Sequence, residues 1–236
     1  MNGPAAIGIQ DTDGNGTREL VLKDNGPVHL DTLHNFGPWR GKQVVFTWDG
    51  IHFLYSSLEI DPPIYRFQAV QDADRYFLTG DYDRALQLYQ DAIFSDALEW
   101  WSKDRMRYLS DAFSSAYSGA PAPIPPDPDY GEYQALSAYA RYRILVLYAV
   151  QGWMTFASQE FEAIRTKFPE GEIGHPYAVL ATEFWTGYER SGDLAAACSL
   201  AVSYAREHPE ILGPLGDINH GLQSHIYAPE DICPLK

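Results

Sequence analysis

The stretch GDYDRALQLYQDA, residues 80–92, decides the fold. Glycine opens it, Ala85 follows five residues on, and Tyr89 four after that. The same ruler recurs twice. Tyr76, Ala85 and Tyr89 are spaced nine and four apart, as are Tyr148, Ala157 and Phe161, and Tyr188, Ala197 and Ala201. Gly80, Gly152 and Gly192 each stand five residues before the alanine, and Ala97, Pro169 and Pro209 stand eight after the last member. An aromatic on one helix and a small alanine on the next mark a close antiparallel crossing. Glycine permits the tight turn between them, and proline ends the second helix.

Around this ruler the period is helical. Apolar residues recur at three- and four-residue spacing over 65–79 and 82–95, and a third helix is expected over 97–117. Residues 119–131, GAPAPIPPDPDYG, hold five prolines and read as a semi-rigid extended loop. Helices are expected again over 132–151, 154–167, 175–190 and 193–207, separated by Gly152, by Pro169–Gly171 and by Ser191–Asp193. After Pro209 the chain thins into Gly213-Pro214 and a loose tail.

Upstream the period is two. AAIGI, ELVL, VVFTW and IHFLYSS read as short strands, and Asp49-Gly50 between the last two is a strong hairpin signal. Asp61-Pro62-Pro63 ends this section, because proline cannot donate into a ladder. The expected class is α+β, mostly α. Residues 1–62 form a small antiparallel β segment, read as the end of a larger domain. Residues 63–212 form a helical domain of about seven helices, and 213–236 an irregular tail.

The repeated ruler resembles the tetratricopeptide repeat (TPR). The segment 80–92 carries it best, then SGDLAAACSLAVSYAREHP at 191–209, then QGWMTFASQEFEAIRTKFP at 151–169. Ala97 stands where that family has proline, and Ala201 where it has a large aromatic. Successive alanines are 72 and 40 residues apart rather than 34, so a helix and the proline loop interrupt the array. The resemblance implies an α-solenoid with a concave face that binds protein or an extended peptide. By the family's register that face would carry Asp74, Phe77, Tyr139, Tyr142, Val146, Thr182, Thr186, Glu189 and Arg190. Mixed aromatic and acidic, it would suit a peptide with basic residues.

DTDGNGTREL, residues 11–20, sets side-chain oxygens at Asp11, Asp13, Asn15 and Glu19, with the Thr17 carbonyl between. Alternate positions on a tight turn converge their ligands, and hard cations take six to eight oxygens. Two readings stay open: a calcium loop, or a hairpin turn held by its own hydrogen bonds. The stretch resembles the calcium loops of FG-GAP and VCBS-type repeats, known from β-propellers and bacterial surface proteins. That resemblance implies bound calcium and a surface or secreted setting; a cytoplasmic adaptor is the alternative. It covers only one loop, and an EF-hand is excluded because Leu22 occupies the twelfth position.

Composition narrows the function further. The chain has 236 residues and a formal net charge of −15, which opposes binding to a phosphate backbone, so no nucleic-acid partner is expected. No apolar run reaches the roughly 20 residues of a membrane span. There is no HExxH, GxSxG, P-loop or GxGxxG, and no Cys-x-x-Cys pair. The five-residue spacings His29/His34 and His220/His225 do not share a helix face, and Glu172 with His175 falls in a Gly-Pro loop. Cys198 reads as a small buried helix residue and Cys233 as part of the tail. A disulfide between them is one possibility that sequence alone does not decide. The expectation is a non-enzymatic interaction module; an accessory region of a larger cell-envelope enzyme is the alternative.

Overall fold

A computed structural model describes residues 6–24, 38–216 and 226–235. His29, His34, His220 and His225 lie outside these. In chain order the elements are β1 (Ala6–Gln10), β2 (Glu19–Asp24), β3 (Lys42–Trp48), β4 (Phe53–Ile60), α1 (Arg66–Thr79), α2 (Tyr82–Phe94), α3 (Lys103–Ser118), α4 (Tyr130–Val150), α5 (Met154–Lys167), α6 (His175–Ser191) and α7 (Leu194–Glu207). Short 3-10 turns follow at Pro209–Leu215 and Pro229–Ile232. The chain is mostly helical, with a four-stranded antiparallel sheet at its N-terminal side. It divides into two compact units, 1–63 with 106–124 and 64–105 with 125–236.

In the first unit the strands run in order β1-β2-β3-β4. Asp49-Gly50 does form the last hairpin, through a four-residue loop rather than a two-residue turn. Asp49 Oδ1 accepts from the amides of Ile51 at 2.7 Å and His52 at 2.6 Å, and Gly50 takes φ +102°. Registry places Ile7 and Leu22 opposite Val44 and Leu58, and Ile9 and Leu20 opposite Phe46 and Tyr55. These share one face of the sheet, which is largely open: Ile7 is 73% and Tyr55 64% exposed. The other face buries Glu19, Val21 and Val45. No side chain of α3 is buried.

The second unit holds the core. α1 packs on α2, α4 on α5 and α6 on α7, as three antiparallel pairs. α4 also packs against α1, α2 and α6, and α5 against α6. Each tight turn uses the glycine of the ruler in the left-handed region, at φ +82° for Gly80, +74° for Gly152 and +67° for Gly192. Asp81 and Asp193 then cap the second helix of their pairs. Ala85, Ala157 and Ala197 are all fully buried. At α6 against α7 the approach is closest: a Cβ on Gly187 would lie 2.8 Å from the Ala197 Cα.

Two expectations change. The third helix begins at Lys103, not near 97. The Glu99 amide donates to the Ile64 carbonyl at 2.8 Å, and the Arg66 amide donates to the Glu99 carbonyl at 3.0 Å. Those bonds hold the stretch extended beside the start of α1, until Ser102 caps α3 through Arg105 N. The described part of the tail is irregular but packed, not loose. Ile211, Leu215, Tyr227, Ile232 and Cys233 are buried, and Cys233 is disulfide-bonded to Cys198 of α7 with Cα atoms 5.3 Å apart.

Candidate functional site

The acidic loop joins β1 to β2. Gly14 and Gly16 take φ +73° and +86°, which curls the backbone back over its own carboxylates. Asp11 accepts the amides of Gly14 at 2.7 Å and Gly16 at 3.0 Å, and Asp13 accepts the Asn15 amide at 3.0 Å. Ligand atoms of Asp11, Asp13 and Glu19 lie within 4.8 Å of one another. Asn15 faces inward on the turn instead: its Oδ1 accepts from Thr17 N at 2.6 Å, and its Nδ2 donates to Asp13 at 2.8 Å. Thr17 joins the turn through that amide.

Glu19 is the unusual member. It is only 1% exposed, while Asp11 and Asp13 are open to solvent. Thr12 donates to its Oε2 through N at 2.7 Å and Oγ1 at 2.8 Å. Its Oε1 is buried and has no hydrogen-bond partner among the described residues. A buried carboxylate oxygen without a donor carries a desolvation penalty. Oxygens of this kind, beside two more carboxylates, fit a hard divalent cation.

The second site lies where α1, α2 and α4 meet the C-terminal segment. Five of the nine residues expected on a concave face are instead core: Asp74, Phe77, Tyr139, Tyr142 and Val146 are buried. Thr182 and Thr186 are half-buried, and Glu189 and Arg190 are exposed. α4 is packed among α1, α2, α5 and α6, and Tyr227 of the C-terminal segment closes over Asp74 and Tyr139. Asp74 Oδ2 accepts from Tyr227 OH at 2.5 Å and Tyr139 OH at 2.9 Å. Its Oδ1 accepts from Tyr89 OH and sits 3.0 Å from Arg143 Nε. Tyr227 also meets Tyr139 edge to face, with ring centres 6.3 Å apart.

Arg143 is completely buried. Its Nη1 donates to the carbonyls of Ile232 at 2.8 Å and Asp231 at 3.1 Å, and its guanidinium lies 4.4 Å from the centre of the Phe77 ring. Burial opposes its charge, but the oxygens of Tyr89, Asp74 and Tyr139 outweigh that and raise its pKa. Burial likewise pushes the Tyr89, Tyr139 and Tyr227 hydroxyls well above the ordinary tyrosine value, so they remain donors. Arg206 of α7 pairs with Glu230 at 2.5 Å on the rim.

Beyond this, Glu189 borders an open cleft of about 620 Å³ lined also by Thr155, Ser158, Trp185 and Tyr188. Trp185 Nε1 donates to Glu189 at 2.9 Å. Arg143, Tyr89 and Tyr227 were not singled out in the sequence as site residues. The available signal was Arg143 itself, one of two arginines, with Arg141, in the apolar run of α4, since a cation buried there needs a carboxylate. No family model, curated protein or solved structure matches this chain.

Proposed function

We propose that this chain is a non-enzymatic protein-interaction module: a TPR-like stack of three helix pairs, preceded by a sheet whose first loop takes calcium. The observation that carries it is the seat of residues 226–235. The first helices of the first two pairs, α1 and α4, already hold a segment there, by its carbonyls through Arg143 and by a side-chain hydroxyl through Asp74. Such a grip on main chain plus one anchor is how grooves read peptides. The pairing of α1 with α2, α4 with α5 and α6 with α7, each pair stacked on the next, supports the TPR-like reading. Arg143 and Arg206 favour carbonyls and carboxylates, so the preferred peptide is not the basic one that a purely acidic groove would select.

Calcium rests on its own observation, the donorless Oε1 of buried Glu19 beside Asp11 and Asp13. Three carboxylates and an affinity on the order of 10⁻⁴ to 10⁻³ M suit an extracellular concentration. The Cys198–Cys233 bond fits the same oxidising setting. We therefore place the module at a cell surface or in a secreted protein.

Glu189 and Arg190 are the open part of the inner face, so they provide the test. Random peptides displayed against the full chain should yield binders whose affinity falls at least tenfold in Glu189→Ala/Arg190→Ala. No enriched peptide, or affinities indifferent to that change, would refute an interaction face here.

A further inference from the structure

We propose that residues 226–235 are a displaceable, built-in ligand, and that the Cys198–Cys233 disulfide is the latch that keeps them seated. On release, the seat takes a segment of a partner protein with the same chemistry. This rests on the reading of the helix pairs as an interaction module and deepens it.

Three features point this way. The first is the kind of bond. Arg143 holds Asp231 and Ile232 by their backbone carbonyls, which any peptide has, rather than by their side chains. Side chains are read at Tyr227, whose hydroxyl donates to Asp74, at fully buried Ile232 and at Glu230, which pairs with Arg206. The occupant is thus specified as tyrosine, then a carboxylate three residues on, then an aliphatic residue two beyond. The second is what lies beneath. Removing the segment still leaves Asp74 with Tyr89, Tyr139 and Arg143, so the carboxylate keeps three of its four donors. Arg143 loses both carbonyls at Nη1 but keeps Tyr89 and Asp74 at Nε, so the vacated seat still holds a paired charge. The third is the covalent tie. Cys233 is the one described residue of the segment bonded covalently back to a helix. While tied, the segment is present at a high effective concentration that a free peptide must beat.

The latch opens by thiol–disulfide exchange with a dithiol reductant. One dithiol sulfur, as thiolate, attacks a disulfide sulfur, and the Cys198–Cys233 bond breaks. The second dithiol sulfur then resolves the mixed disulfide. The dithiol leaves as a cyclic disulfide, having given up two electrons and two protons, and both cysteines are left as thiols.

The probe is a fluorescein-labelled decapeptide with the sequence of residues 226–235, serine replacing the cysteine, followed by polarisation. A second probe carries phenylalanine in place of the tyrosine. Disulfide-intact wild-type chain should give a flat titration. Full-length Tyr227→Ala/Cys233→Ser should bind the first probe saturably and the second at least tenfold more weakly. A variant with wild-type helical circular dichroism that binds neither probe, or a wild type that binds as well as the variant, would overturn the proposal. Hydrogen exchange on wild-type chain supplies the second measurement, independent of any substitution. Dithiothreitol should strip protection from 226–235 while α1 and α4 keep theirs; retained protection there, or loss throughout, would overturn it. Peptides that respond to Glu189→Ala/Arg190→Ala while the decapeptide finds no seat refute the latch alone. Failure of both refutes the interaction module as well.

Discussion

At Glu132 a single side chain sets a pH dependence. It is buried at the start of α4, where both carboxylate oxygens accept from Trp101 N at 3.3 Å. Burial raises its pKa to about 8, against the lowering influence of the Trp101 amide and Arg66. The folded state therefore holds a proton that the unfolded chain releases near pH 4.5. This contribution is fully present below that pH and is lost as pH rises through about 8, so stability falls with a slope approaching about 1.4 kcal/mol per pH unit in between. Glu132→Gln mimics the protonated form. Urea unfolding at pH 5 and 8 should show that slope reduced in the variant and its midpoint raised at pH 8. Tyr227→Phe removes one donor from Asp74 and should lower stability by about 1–2 kcal/mol in the same assay. In the acidic loop, three carboxylates held close repel one another, and a cation bound there would relieve that and stabilise the folded state. Differential scanning should give a higher midpoint in millimolar calcium than in chelator, and Asp13→Ala should erase the difference. Equal midpoints in the wild-type chain would reduce the loop to a turn.

Among the elements, α6 and α7 cross where Gly187 meets Ala197. Gly187→Ala sets a Cβ 2.8 Å from a backbone atom that cannot rotate away. It should cost about 1–3 kcal/mol in urea unfolding, more than the helix propensity of alanine returns. Six of the seven helices were legible within two residues, because apolar spacing and the glycine-capped turns agree locally with the packing. α3 was misplaced at its start because its first residues answer to Ile64 and Arg66, more than 30 positions back in sequence. The four strands were legible from alternation and the Asp49-Gly50 turn. In the acidic loop, the convergence of Asp11, Asp13 and Glu19 was legible from spacing alone. Asp74 and Tyr139 are expected on an open concave face, whereas the structure buries both. That depends on Tyr227, 153 residues from Asp74, and no local pattern marks a tail residue as a core residue.

For the molecule as a whole, the Cys198–Cys233 bond closes a chain separation of 35 residues. On loop-entropy grounds it stabilises by about 2–4 kcal/mol, so Cys198→Ser/Cys233→Ser should shift the urea midpoint down accordingly. A stack in which each pair touches only its neighbours unravels from its ends. Here Tyr227 and Arg143 tie the last described segment to α1 and to the central α4, so the helical unit should melt in one transition by both circular dichroism and fluorescence. The same tie has a consequence during synthesis. As the chain leaves the ribosome, α1 and α2 can pair early, yet Asp74 then has only Tyr89 of its four partners. Tyr139 and Arg143 arrive with α4, and the last hydroxyl only when residue 227 emerges. The first helix pair is thus made first and finished only after residue 227 has emerged.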